Sequence, residues 1–500
     1  MKLINQIFNF LSVFLHPINR AWNKINESTQ TYLIIFVLCS LFIGFGYSYI
    51  DYEYYNYGFI PLLFLGVLLF YYQLDKVLYL VAFLTPFSIN TLISESTSIS
   101  ILTEPFLIVF TILYLIKFFL DGNYNTKILK HPISIAIYFY LIWMIITSFT
   151  STHQLVSFKY VFSKIVYIIP YFIAIIPIFK DVKKIKTFYI LYSISLAIIV
   201  IISSLKFALR GFEFQYSFYI MQPFYNDHTA YGAILALFIP LSLYFIISKE
   251  ISKPQKLFFL LLLFIFISGL ILSYSRAAWL SIIPAIGIYL ILKFKIKLRL
   301  IFYLMFFGAF IFFAFQTPIL QILEKNNQDS SGNITEHISS ISNITTDASN
   351  VERLNRWFCV FRMFKEKPVF GWGPGTYQFE YAGFQKSYQL STISTNAGNL
   401  GNAHSEYFGA LADSGVLGMA SVLILFLTTL SIGIKVYKHA IDDNIKLLAL
   451  YLTMSLVTYY THGVLNNFLD TDKLSIPFWM FTAAILALDV YSRKDKQLHR

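Results

Sequence analysis

Apolar runs of roughly 18 residues recur from Thr31 to Tyr491, each long enough to cross a hydrocarbon core. Backbone polar groups in lipid must find partners within their own segment, so runs of this length are helices. Charged residues make up only 13% of the 500-residue chain and hydrophobic ones 57%, whereas a soluble domain carries about 25% charged residues. The expected fold is an all-α polytopic membrane protein with roughly 12–14 transmembrane helices.

The formal charge of +12 does not point to nucleic acid, because the cations sit in short clusters between apolar runs. Those clusters are Lys127/Lys130, Lys180 to Lys186, Lys249/Lys253/Lys256, Lys293 to Arg299, Lys435/Lys438 and the tail "SRKDKQLHR". Cytoplasmic loops are enriched in this way. Placing every cluster inside leaves two spans between each of the first four neighbours: 132–150 with 160–179, 187–209 with 229–247, and 257–274 with 276–293. Four spans precede Lys127, near 31–50, 58–72, 77–92 and 101–120. Span 299–316 runs outward, 405–434 returns, and 446–464 with 475–491 ends the chain inside. The domain reading follows: a cytoplasmic or interfacial segment 1–30, a bundle 31–316, one large periplasmic loop 317–404, helices 405–491 and a tail 492–500. Residues 324–350 of the loop are polar, turn-rich and expected to be mobile. Residues 351–404 are expected to fold, with Arg353, Trp357, Phe361 and Phe364 at helical spacing and Lys367-Pro368 ending the helix. Cys39 and Cys359 lie in very different segments, which implies neither a disulfide framework nor a metal-binding set.

The polar residues left on the outer side need an account. Arg276 in "LSYSRAAWL" joins two spans, and an interfacial arginine there can simply snorkel. Lys159 and Lys164 open span 160–179, with Lys164 about a turn into the membrane, where a cation marks a functional site or a partner. With Arg353 and Arg210 they gather positive charge where it is least expected, and an anion is the simplest ligand, phosphate suiting the arginine fork. His404 begins the span 405–434; a histidine there is either a satisfied polar residue or a general base. "PFYNDHTAYG" adds Asp227 and His228, and "THGVLNNFLDTDK" adds His462 and Asp470, all equally open to helix capping or loop solvation. No histidine pair shows metal-ligand spacing such as H-x₃-H, so no metal site is expected.

Together these stretches resemble the O-antigen ligase and O-antigen polymerase superfamily, bacterial GT-C type transferases of lipid-linked glycans. His404-Ser405, the spacer 406–414 and Gly415-x-x-Gly418 fit the family's signature of His, then Asn/Ser/Gln, nine residues and G-x-x-G. Arg276 in "SYSRAAW" matches its S-x-S-R element, and Arg353 in "ERLNRW" with "PVFGWGPGTY" looks like its R-x-x-x-W and glycine-rich turn. The specific matches cover about 270–420; "NDHTAYG" is only loosely similar, so Asp227 and His228 carry no assigned role.

The resemblance implies a metal-independent inverting glycosyltransferase without a cofactor, in the bacterial inner membrane, with its active site facing the periplasm. Its donor would be a glycan on undecaprenyl pyrophosphate. Its acceptor would be a hydroxyl of a glycan, of lipid A core or of a protein, and its other partner is the bilayer. Arg276 and Arg353, with Lys159, Lys164 or Arg210 assisting, would hold the pyrophosphate. His404 would orient or deprotonate the acceptor hydroxyl; apart from the matched motifs, Asp227, His228, His462 and Asp470 are candidate contacts for donor or acceptor. Gly415 and Gly418 are expected to seat the histidine's helix against a neighbouring helix. Ligase, polymerase and protein O-oligosaccharyltransferase stay open within the class, and a lipid-linked glycan flippase or transporter outside it.

Overall fold

The computed structural model describes residues 74–94, 97–100, 103–121, 125–296, 348–390, 394 and 401–492. The expected spans 31–50, 58–72 and 299–316, the interfacial N-terminus, the segment 324–347 and the tail 493–500 lie outside those residues. Eight helices among the described residues are long and apolar enough to cross a membrane.

The chain divides into two compact units. Residues 74–81 and 106–121 belong to the first, and 82–105 with everything from 125 onward to the second. Helix α1 is Leu74–Leu84 and α2 is Glu104–Asp121. The span expected over 77–92 is corrected here: Pro86 opens a tight 3-10 turn, Thr85–Phe87, because proline supplies no donor to continue the helix. An antiparallel hairpin, Asn90–Ser94 with Thr97–Ser100, follows.

In the second unit α3 is Pro132–Phe149, α4 Gln154–Ile168, α5 Val182–Leu209, α6 His228–Ile247, α7 Lys253–Leu272 and α8 Arg276–Lys293. A wider π turn, Ile169–Ala174, carries α4 past Pro170. Then come α9, Ala348–Glu366, and three spanning-length helices, α10 (Glu406–His439), α11 (Asp443–Leu465) and α12 (Asp472–Tyr491). Helix α12 is buried almost throughout and packs against α6, α10 and α11, so it is the core. Helices α7 and α8 leave most of their apolar surface exposed, as lipid-facing helices do.

Side chains tie like ends together. At one end the ring of His131 meets Asp489 at 3.2 Å, and Lys435 lies 3.9 Å from the same carboxylate. This end gathers the start of α3 with the ends of α10 and α12, where the basic clusters place one face. At the other, the starts of α6, α8 and α10 meet the end of α11. An added methyl on Gly232 of α6 would stand 2.6 Å from the Ser275 Cβ, and the Ser405 hydroxyl donates to the Gly463 carbonyl at 3.4 Å.

The loop before α10 is folded onto that second end. Helix α9 buries Cys359, Val360 and Met363 in one apolar cluster with Tyr377, Tyr381, Ala403, Leu411 and Ala412. Arg362 donates to the Phe384 carbonyl at 2.6 Å and to Gln389 at 2.9 Å, holding the chain after the glycine-rich turn.

Helix α10 is broken. Ser414 (φ −131, ψ 15) and Gly415 (φ 68, ψ −164) are not helical, and the segment 368–373 docks on the backbone groups this frees. Trp372 donates to the Ala412 carbonyl at 3.0 Å, Gly373 to the Asp413 carbonyl at 2.7 Å, and Val416 to the Pro368 carbonyl at 3.0 Å. The Trp143 indole of α3 caps the Ser414 carbonyl at 2.8 Å. The atoms nearest to Gly415 and Gly418 belong to the loop and to the helix itself. A Cβ on Gly415 would stand 2.1 Å from the Val369 carbonyl oxygen, and one on Gly418 would stand 2.4 Å from the Ser414 Cβ and 2.6 Å from the Ala410 oxygen. The glycines admit the loop's main chain and the helix's own distorted turn, with no neighbouring helix among those nearest atoms.

Candidate active site

His404 is the last residue but one before α10, and its backbone is left-handed at φ 49. A side chain seldom adopts that conformation without surroundings that impose it. Asn402 imposes part of it, its side-chain oxygen accepting the His404 amide at 3.0 Å. Ser405 then caps the helix, accepting the Phe408 amide at 3.3 Å. The imidazole is half-buried.

Four charged groups act on that ring: Arg353, Arg356, Asp227 and Glu352. Burial is the largest influence and the two guanidiniums the next. Together they push the imidazole down to about 4, against the weaker pull of the carboxylates. His404 is therefore neutral at neutral pH, with a lone pair to accept a proton.

Arg353 lies in the first turns of α9, half-buried. It donates through Nε to the Leu465 carbonyl at 3.3 Å and through Nη1 to the Asn350 side chain at 3.3 Å. Arg356, one turn on, is buried. It pairs with Glu352 at 2.6 Å, lies 4.0 Å over the Tyr381 ring, and rests so close to Gly401 that a methyl there would be 1.8 Å from its Nη1. Ser394 donates to the same Glu352. His462, on α11, is buried near Arg353, Asp227 and the main chain of Ala277, and its Nε2 is 3.1 Å from the Asn466 amide. That contact with Ala277 brings Arg276, the first residue of α8, to the edge of the group. Asp227 caps α6, accepting from the Thr229 amide at 2.8 Å and hydroxyl at 2.5 Å, with His228 at 3.2 Å. Burial disfavours the charged form of Asp227, but His228 and Thr229 outweigh that and hold the carboxyl well below the usual carboxylate range.

The structure thus gathers His404, Arg353, His462 and Asp227, with Arg276 and His228 on adjoining helix starts. Three other expected cations lie in different surroundings. Arg210 ends α5, exposed, with its guanidinium 5.1 Å over the Tyr216 ring. Lys159 is exposed on α4. Lys164 is buried over the Tyr160 ring at 4.8 Å and faces Glu406, with Asp470 part of that second neighbourhood.

Sequence reasoning passed over the Glu352–Arg356 pair, although its i,i+4 spacing was a readable signal. It also passed over Asp413, whose carboxylate accepts the Gly375 amide at 2.8 Å and the Tyr377 amide at 3.0 Å. That residue fastens the glycine-rich turn to α10, a contact between distant segments that no local pattern announces.

Comparison with known families gives a match over part of the chain. Residues 261–423 fit the family model described as O-antigen ligase. The match contains Arg276, Arg353, His404, Gly415 and Gly418, and leaves Asp227, Lys164, His462 and Asp470 outside. No curated protein matches the chain.

Proposed function

We propose that this chain, whose residues 261–423 match the O-antigen ligase family model, is an inverting glycosyltransferase taking its glycan from a polyprenyl (undecaprenyl) pyrophosphate. The acceptor hydroxyl would be reached from the periplasmic face of a bacterial inner membrane. The observation that carries the reading is His404: a strained, neutral imidazole at a helix start, between arginines.

Transfer from a pyrophosphate needs two things from the protein. The leaving group's charge must be neutralised, and the attacking hydroxyl must lose its proton as the new bond forms. Arg353 and Arg276 supply fixed positive charge from separate helices, the arrangement that stabilises developing charge without reorganisation. The acceptor oxygen attacks the anomeric carbon and its proton passes to the imidazole of His404. The bond to the phosphate oxygen breaks, and the polyprenyl pyrophosphate leaves with the electron pair. One displacement inverts the anomeric centre.

The electrostatics make the steps interdependent. The guanidiniums of Arg353 and Arg356 depress the affinity of His404 for a proton. A donor pyrophosphate on Arg353 offsets that residue's part of the field, so donor binding itself strengthens the base.

The test is transfer by membranes given a lipid-linked glycan extract, from cells lacking other such activity. Wild type is expected to transfer with inversion. Arg276→Ala and Arg353→Ala are each expected to raise half-saturating donor about 10- to 100-fold, the equivalent of a charge-assisted hydrogen bond of about 1.5–3 kcal/mol. Flipping of the donor lipid without transfer would place the protein among transporters instead.

A further inference from the structure

A second group of charged residues adjoins His404, and the proposed mechanism does not use it. Glu406 stands in the first turn of α10, where its Oε1 accepts the Tyr459 hydroxyl at 2.5 Å and the Phe468 and Leu469 amides at 2.9 and 3.0 Å. Lys164 and Asp470 act on that carboxylate. Tyr140 and Tyr160 both lie within Coulombic reach of Glu406, Asp470 and Asp413. The glycine-rich turn forms a wall, for a methyl on Gly375 would stand 2.9 Å from the Tyr160 ring.

Exposure is graded across the group. Asp470 is exposed, Tyr140, Tyr160, Glu406 and Asp413 are half-buried, and Lys164 is 1% exposed. Exposure thus falls from Asp470 inward to Lys164. The inner end is unfinished: among the described residues the Lys164 ammonium has no hydrogen-bond partner, while the Tyr160 ring and the charge of Glu406 act on it. Burying an ammonium without filling its donors is costly. An ionisable group kept at such a depth marks a functional site.

We propose that this chamber is the subsite for the acceptor sugar, and that it takes an uncharged, hydroxyl-rich ring in preference to a phosphorylated one. The inference rests on the glycosyltransferase reading and adds the substrate class to it. Carboxyl groups outnumber the one ammonium, so the group does not attract a phosphate. The same carboxylates accept sugar hydroxyls, the ammonium donates to sugar oxygens, and two tyrosines offer faces for the ring. His404 then stands between unlike halves: arginines for the pyrophosphate, and two residues further along the chain an acidic chamber for the nucleophile.

The experiment uses membranes holding the full chain, with donor-lipid extract and acceptor extract titrated separately. Asp470→Asn, at the exposed end, and Lys164→Met, at the inner end, are expected to raise half-saturating acceptor at least ~10-fold while half-saturating donor stays within about twofold. Should Lys164→Met fail to fold, Asp470→Asn carries the test. Unchanged acceptor dependence in Asp470→Asn, or a shift in donor dependence alone, overturns the chamber. Treating the acceptor extract with alkaline phosphatase is expected to leave wild-type transfer undiminished, and loss of transfer on that treatment overturns it too. A wild-type protein that transfers nothing removes the glycosyltransferase reading and the chamber together, whereas normal wild-type transfer with an indifferent Asp470→Asn removes the chamber alone.

Discussion

At His404 the main chain holds a left-handed conformation that costs about 1 kcal/mol or more for a residue with a Cβ. Asn402 and the Ser405 cap hold it there, which fixes the ring at the mouth of α10. The neutral form of the ring is held by burial and by Arg353 and Arg356. Because the group is pushed down to about 4, it stays unprotonated as pH falls through the range where an ordinary histidine, near about 6.5, takes up its proton. The kcat/KM for transfer is therefore expected to stay level between about pH 8 and about pH 5.5, where an unperturbed histidine base would have lost about 10-fold. A fall centred near pH 6.5 would mean that neither burial nor the arginines lower the ring's affinity for a proton. His404, Arg276 and Arg353 stood out in the sequence through their spacing within a family pattern, and the matched stretch contains all three. Arg356 did not: its weight comes from burial against Gly401 and Tyr381, which no spacing reveals.

At the scale of the element, the break in α10 decides the site's shape. The pattern G-x-x-G fits either close helix packing or a helix interruption, because both need a residue without a Cβ, and the sequence alone does not separate them. The backbone does, since Gly415 lies at φ 68, ψ −164, a region essentially reserved for glycine. Gly415→Ala is expected to destabilise the protein by more than about 2 kcal/mol and to abolish transfer by expelling the Pro368–Val369 main chain. Gly287→Ala, at a helical position in α8 where a Cβ meets nothing within 4 Å, is expected to leave activity intact and to raise stability by about 0.5–1 kcal/mol. Thermal unfolding in detergent measures both, and a harmless Gly415→Ala would contradict the docking. The segment 77–92 shows the opposite failure of a pattern. Its apolar content reads as a span, yet Pro86 and the hairpin beyond Ile89 end the helix at Leu84.

At the scale of the molecule, charge asymmetry was the most legible feature, because the cost of carrying cations through lipid acts on whole loops and needs no side-chain detail. Spans placed by hydropathy at 132–150, 229–247 and 475–491 lie on α3, α6 and α12. The sharing of Asp489 by His131 and Lys435 joins ends that the basic clusters assign to one face. Single cysteines at Asp470 and Asp443, in a chain freed of Cys39 and Cys359, test the orientation. The first is expected to react with an impermeant maleimide from outside intact inner-membrane vesicles of native orientation, and the second only after permeabilisation; the reverse would turn the protein over. What stayed illegible was how the second half of the loop closes on α10, since Asp413 and the turn at Gly373–Gly375 meet only after folding. The claim on which the whole account depends is that His404 removes the acceptor's proton, and the single-turnover transfer rate at saturating donor and acceptor tests it most directly. His404→Ala and His404→Gln are each expected to slow that step by about 10²–10⁴-fold, the range for loss of a general base, with donor binding kept; a rate within about twofold of wild type in either variant would contradict it.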